Sequence, residues 1–428
     1  MKLKNLHIDS YRHLENLDFD FTYPEGHAKF GQPLEKICVI GQSATGKTSV
    51  LELIKESFSK LNGIKTIRHK FFADEYKLNF NGKIVFLSID EGLLELKDEM
   101  IIKDGKEYIN GHEGGEINFL LNQRLKLIYL SSEIISKEAI NVFNQNPINI
   151  LNDSTTIDHP RLQDLYRNSN YYVLELGKDV EAKTWILLLN EIHEYRKRFT
   201  QMASEIINRG AIADPNKLSK QYAKWAETNK NPLLPFAEKF NPVLKKLNLE
   251  IDLVNTEYTI PIKSHSKDEV IPVSGLSTGT KGLLLSMFPL FELDTSDAII
   301  LIDEPERSLF PDMQIDLITH YQNLAPNAQF IVATHSPFIA AAFEPEERFI
   351  LYFDEDGKVA VRRGESPIGD DPNDMLRNDF NVDYYNHFGK EAYQKYLELK
   401  MKAKRETEPE KKKELIIELS VLGDKYKF

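Results

Sequence analysis

The 428-residue chain has a single cysteine, Cys38, which excludes an intramolecular disulfide framework and any cysteine-built zinc cluster. A reducing compartment suits that composition. Nothing resembles a leader, because charged and polar residues run from Lys2 onward without an apolar core. No apolar run approaches the roughly 20 residues needed to cross a bilayer, so a cytoplasmic protein with no membrane partner is expected. Basic charge is in deficit: 54 Lys+Arg stand against 66 Asp+Glu, a formal net charge of −12. The average surface therefore repels nucleic acid and anionic membrane, and a polyanion would need a local basic patch. Internal repeats are also missing. What is present, 41 % hydrophobic residues over this length, builds a sizeable core. Two or three domains are expected, or one large α/β unit carrying an insertion.

Apolar and polar residues alternate at Leu3, Leu6 and Ile8 and again at Leu17, Phe19 and Phe21, predicting two paired strands. Lys36–Ile40 is a short continuous apolar run that stops at Gly41, the pattern of a buried parallel strand, and a helix is expected over Thr48–Leu61. Strands are predicted at Lys83–Ile89 and Leu125–Leu130, with a hairpin turn at Asp104-Gly105. From about Pro160 the period becomes helical. Trp185, Leu188, Ile192, Tyr195, Phe199, Met202 and Ile206 mark one seam, broken by Asn208-Arg-Gly210 and Asp214-Pro215. Strand character returns at Leu249–Val254 and alternates with helix from Asp297 to Pro337. The last 60 or so residues are polar and helical, with Asp371-Pro372 placed as N-cap and first-turn residue.

Four motifs carry chemistry. Gly41-Gln42-Ser43-Ala44-Thr45-Gly46-Lys47-Thr48 fits the phosphate loop G-x-x-x-x-G-K-[ST] and lies between the expected strand and helix, the context that motif requires. Its glycines allow backbone N–H groups to converge on phosphate oxygens. Lys47 supplies a point charge for the β and γ phosphates, and the Thr48 hydroxyl is a Mg²⁺ ligand. Asp303 closes the apolar strand Ala298–Ile302 and is placed to hold Mg²⁺, while Glu304 suits a general base for water. Ser277 and Gly279 open the apolar stretch Leu283–Phe291, a second anion-binding helix end, and suggest service to a neighbouring subunit's nucleotide. His335 follows the apolar run Gln329–Thr334, where a neutral imidazole can meet the γ-phosphate or the attacking water.

Read together and in order, GQSATGKT, LSTGTK, IILIDEPE and ATHS resemble an ABC-type ATPase head of the SMC, RecF and OLD-like class. Leu6–Leu14 resembles the opening of that class, and Asp303–Pro311 its DEPE variant, with Phe310 in place of a histidine. The implied fold is an α/β P-loop NTPase of ABC-ATPase type: a mixed sheet flanked by helices, an N-terminal antiparallel β lobe, a helical insertion and a helical C-terminal appendage. The expected domains are an N-terminal lobe over 1–135, a mainly helical insertion over 136–245, a C-terminal lobe over 246–355 and the appendage over 356–428. The resemblance implies ATP and Mg²⁺ as cofactors. ATP would lie on Gly41 to Thr48, Ser49 and Arg12, with Lys47, Glu304 and His335 catalytic and Thr48 and Asp303 on the metal. Across a homodimer or higher even-numbered oligomer, Leu276, Ser277, Thr278, Gly279 and Lys281 would contact the partner's ATP.

Three departures stand out. Ser131, Ser132 and Glu133 occupy the place of the family's lid-loop glutamine, Ala44 replaces a common glycine, and Ser308-Leu-Phe-Pro replaces the S-A-L-D loop of transporters. The long interval between Gly46 and Gly275 also disfavours a transporter head. OLD-like enzymes carry a Toprim nuclease after the head, for which too little chain follows Ser336. Phe353–Val361 reads as a hairpin turn rather than a D-x-D metal pair. The expected function is therefore the sensor or regulatory ATPase of a bacterial anti-phage defence system, acting on a separate effector such as a nuclease or toxin. The alternative is a RecF-like ATPase of DNA repair or replication that clamps DNA. Residues 397–428 hold 9 Lys+Arg and 7 Asp+Glu, a solvated or protein-binding helix rather than a DNA arm.

Overall fold

The computed structural model describes residues 1–61, 79–88, 92–98, 100–109, 125–146, 171–210, 213–267, 269–382 and 387–426. Its strands in chain order are β1 (Lys2–Tyr11), β2 (Leu14–Asp20), β3 (Lys36–Gly41), β4 (Asn81–Leu87), β5 (Leu93–Lys97), β6 (Met100–Lys103), β7 (Lys106–Ile109) and β8 (Leu125–Leu130). There follow β9 (Tyr171–Leu176), β10 (Leu249–Ile251), β11 (Ile262–Ser264), β12 (Glu269–Ile271), β13 (Ile299–Asp303), β14 (Gln329–Thr334), β15 (Arg348–Phe353) and β16 (Val359–Arg363). Residues Met1–Asp370 form one compact unit and Asp371–Phe428 a second.

In the first unit the alternating residues at the chain start pair as expected, with Leu6 opposite Phe19 and Ile8 opposite Leu17. These strands belong to an antiparallel sheet of order β2-β1-β4-β5-β6-β7. The Asp104-Gly105 turn joins β6 to β7 with both residues at positive φ, 49° and 79°, as a two-residue hairpin demands. The expected strand at Lys83–Ile89 is found two residues earlier, and Ile89 itself lies outside the described residues.

The second sheet has the order β16-β15-β3-β14-β13-β8-β9, with every neighbouring pair parallel except β15 and β16. A parallel sheet covered on both faces needs apolar residues at every position. That is why Ile37–Ile40, Ile299–Ile302 and Phe330–Ala333 are continuous apolar runs, all buried. One face packs on the helix Lys47–Leu61 through Val50, Leu51, Ile54 and Phe58, beneath the antiparallel sheet. Gln329, fully buried, ties the two sheets. Its amide accepts from Leu3 N at 2.6 Å and donates to Leu3 O and Leu34 O at 3.0 and 2.7 Å. Because β3, β13 and β14 run parallel side by side, their carboxyl ends, Gly41, Asp303 and Thr334, reach one edge together. In open α/β sheets that edge is where ligands bind.

Four features differ from the sequence reading. The interval 136–245 contains β9, which extends the main sheet beside β8 with Leu125 opposite Tyr171. β16 folds back on β15 through a turn with Gly357 at φ 74°, so the sheet continues to Arg363 and the second unit begins at Asp371 instead of 356. The seam from Trp185 to Ile206 is carried by two helices, Ala182–Leu188 and Asn190–Asn208, that change direction at Leu189. The strand expected at Leu249–Val254 is shorter, ending at Ile251.

The second unit is helical. Asp371 caps Pro372–Asn378, accepting from Asn373 N at 2.8 Å. His387–Arg405 and Pro409–Tyr426 pair as a hairpin, with Lys395 and Glu418 at 3.5 Å between them. No side chain of Pro409–Tyr426 is buried. Among the described residues no helix is long and apolar enough to cross a membrane.

Candidate functional site

β3 ends where its backbone must pass close to β15. A Cβ on Gly41 would stand 2.5 Å from Leu351 O, so only glycine fits there. Gly46 sits at φ 92°, and a Cβ there would meet Leu14 at 2.7 Å and the His13 ring at 2.9 Å. Ala44 adopts φ 67°, a left-handed conformation that a glycine would take without strain. Thr45 braces the loop, its hydroxyl donating to Gln42 O at 2.8 Å. The helix then begins at Lys47, a buried residue whose ammonium donates to Gly41 O and Gln42 O at 2.9 and 3.0 Å. Burial lowers its pKa to about 8, against the pull of Glu304, Asp303 and Glu306.

Thr48 faces the neighbouring strand end. Its hydroxyl lies 3.1 Å from both carboxylate oxygens of Asp303. Burial raises the Asp303 pKa to about 6, while hydrogen bonds from Thr48 and Ser132 work in the opposite direction. Ser132 is the residue that sequence reasoning placed at the lid without assigning it a contact. It is held by Arg307, which donates to its carbonyl at 3.0 Å. Two hydroxyls around one carboxylate make a hard oxygen set suited to Mg²⁺. Among the described residues there is no cluster of three or more His, Cys, Asp or Glu that could hold a metal ion.

Glu304 follows with φ 48°, an uncommon conformation for a residue with a Cβ, and its N–H donates to Ala333 O at 2.9 Å. The turn aims its carboxylate at His335, 3.4 Å from Nε2. Burial, then the Lys47 charge, lower the His335 pKa and favour the neutral ring. Glu306 was not singled out from the sequence. Its carboxylate accepts the His335 backbone N–H at 2.7 Å. Lys47, Thr48, Asp303, Glu304 and His335 thus converge at one sheet edge.

The other expected residues lie apart from this cluster in different ways. Ser277 caps the helix Thr278–Glu292, accepting from Thr280 N at 3.2 Å. Gly279 is pressed against the Ser308 loop, where a Cβ would stand 2.4 Å from Ser308 O. Lys281 contributes a backbone bond to Ser277 O, and Leu276 is buried. A cavity of about 290 Å³ separates this helix start from Asp303 and Glu304, walled by Ser131–Ile135 and Leu309. Arg12, at φ 55°, turns onto the phosphate-loop helix and pairs with Glu52. The side chains against Gly46 are instead those of His13 and Leu14. Gln42 and Ser43 are exposed on the loop, and Ser49 is buried below it.

A family described as "AAA ATPase domain" matches residues 1–340. Septu protein PtuA from Bacillus thuringiensis is 24 % identical over 365 residues, covering 84 % of this chain and 78 % of that protein. Retron Ec83 probable ATPase from Escherichia coli is 20 % identical over 402 residues, covering 82 % and 71 %. Among solved structures, the Smc head domain with an extended coiled coil from Pyrococcus furiosus aligns with a TM-score of 0.41 and 14 % identity, over 85 % of this chain and 96 % of that one. The SMC head domain from Thermotoga maritima aligns at 0.40 and 15 %, over 86 % and 100 %.

Proposed function

The chain belongs to the AAA ATPase domain family, and from that premise we propose that it binds and hydrolyses ATP with Mg²⁺ and dimerises around the nucleotide. On this reading it is the sensor or regulatory ATPase of an anti-phage defence system that governs a separate effector. The observation that carries the catalytic part is the convergence at one sheet edge of a desolvated lysine, a hydroxyl–carboxylate pair and a glutamate–histidine pair. Likeness to Septu protein PtuA and to Retron Ec83 probable ATPase supports the defence role.

Lys47 and the loop Gly41–Gly46 bind the phosphates, the lysine giving up its two carbonyl partners for phosphate oxygens. Thr48 and Asp303 would hold Mg²⁺, with Ser132 orienting Asp303. Held there, the ion would supply positive charge to the transferred phosphoryl group. Glu304 accepts the proton of the attacking water, and the neutral His335 ring hydrogen-bonds beside it. Ser277 and Gly279 would meet the nucleotide of a second copy, and the helices of 182–245 and 372–426 are the surfaces offered to the effector.

Glu304→Gln tests this reading. It keeps the binding groups and removes the base, so turnover should fall at least about 100-fold while an ATP-dependent dimer accumulates on size-exclusion chromatography. Hydrolysis by Glu304→Gln at the wild-type rate would refute the assignment. A nuclease or toxin co-purifying with that trapped form would support the defence role, and retained DNA would favour the repair alternative.

A further inference from the structure

The loop after β13 and the turn after β14 are joined by two hydrogen bonds of opposite direction. Glu304 N–H donates to Ala333 O at 2.9 Å, and His335 N–H donates to the Glu306 carboxylate at 2.7 Å. Both flank the 3.4 Å approach of Glu304 to His335. The Glu306 backbone is fixed as well, its carbonyl accepting from Leu309 N at 2.9 Å, and Leu309 packs where Gly279 has no side chain. Glu306 itself is half-buried, with Oε2 shielded from solvent and the Thr334 hydroxyl also directed at the carboxylate. An apolar side chain would fill this space without the cost of burying charge but would leave the His335 N–H without its acceptor.

We propose that Glu306 is a positioning residue, which by accepting the His335 backbone N–H holds the imidazole in register with Glu304. It acts through His335 and touches no nucleotide. The inference rests on the reading of Glu304 and His335 as the hydrolytic pair. Displacing one member of such a pair by about 1 Å lowers turnover strongly while leaving ground-state binding intact.

The test is steady-state ATP hydrolysis by Glu306→Ala, Glu306→Asp and Glu306→Gln, with Glu304→Gln measured beside them and thermal melts confirming the fold. Glu306→Ala should lower kcat about tenfold with KM for ATP changed less than about twofold. Glu306→Asp, one methylene short, should behave like the alanine variant. Glu306→Gln, which keeps an acceptor oxygen at the same reach, should return to within about threefold of wild type. An active aspartate variant with an inactive glutamine variant would show that charge rather than the hydrogen bond matters, and would overturn the proposal. A raised KM with intact kcat would overturn it too. Wild-type turnover by Glu304→Gln would instead remove the underlying reading, whatever the Glu306 variants do.

Discussion

Two helices of this protein begin at a small residue beside the sheet edge, and their beginnings are built in opposite ways. Lys47–Leu61 has Gly46 at its N-cap, a residue with no side chain to accept from the first-turn amides, and its first residue is a lysine whose pKa burial has depressed. Thr278–Glu292 has Ser277, whose hydroxyl already accepts from Thr280 N and bonds the Thr280 hydroxyl at 2.7 Å. The first end has no side chain of its own to cap it, and the second is capped within one chain. On the proposed function the uncapped end takes the phosphates of the chain's own nucleotide, and the capped end can only add its hydroxyl proton to a second copy's.

Three substitutions probe that contrast, beginning with the largest effect. Lys47→Ala should weaken binding of a fluorescent ATP analogue at least about 100-fold, since it removes a charge already stripped of solvent. Affinity within tenfold of wild type would mean that the open end binds through its backbone alone. Asp303→Asn should stabilise the protein in the absence of nucleotide. The folded-state pKa of Asp303 is raised from 3.8 to about 6. The folded state thus holds this proton more tightly than the unfolded chain does, and the associated stability is lost as pH rises from about 4 through 6. Asparagine has no such loss. Its advantage should open across that window and level off above it, reaching roughly 1–3 kcal/mol in melts at pH 7.5. A lower melting temperature than wild type at pH 7.5 would contradict the sign. Ser277→Ala should have the smallest effect and the opposite direction, a loss of about 1 kcal/mol from the missing cap, read in denaturant unfolding. No loss at all would show that the second end is as open as the first.

How far these features were legible in the sequence depended on whether local rules decide them. The strands β3, β8 and β13 announce themselves because a doubly covered strand admits little but large apolar residues. Asp104-Gly105 and Asp371-Pro372 do so because few residues tolerate those backbone positions. β9 was hidden: Tyr171–Leu176 sits next to helical periodicity, and only pairing with the distant β8 makes it a strand. The break at Leu189 has no glycine or proline to mark it. Within the candidate site, motif spacing identified Lys47, Thr48, Asp303, Glu304 and His335. It gave no role to His13 or Glu306 and no contact to Ser132, because their relevance lies in contacts between segments far apart in the chain.

The sheet order has one more outcome, which concerns the ribosome. β3 lies between β14 and β15, so Lys36 pairs with Phe330 and Cys38 with both Val332 and Arg348. At about 5–20 residues per second, its neighbours are synthesised roughly 15–60 s after it. For that interval the nascent chain carries Ile37–Ile40 and the apolar side of Lys47–Leu61 without the strands that will cover them. An N-terminal fragment ending near residue 135 therefore lacks both partners of its own central strand. Such a fragment should aggregate or stay bound to chaperones, and the phosphate loop acquires its final shape only when nearly the whole first unit has been translated.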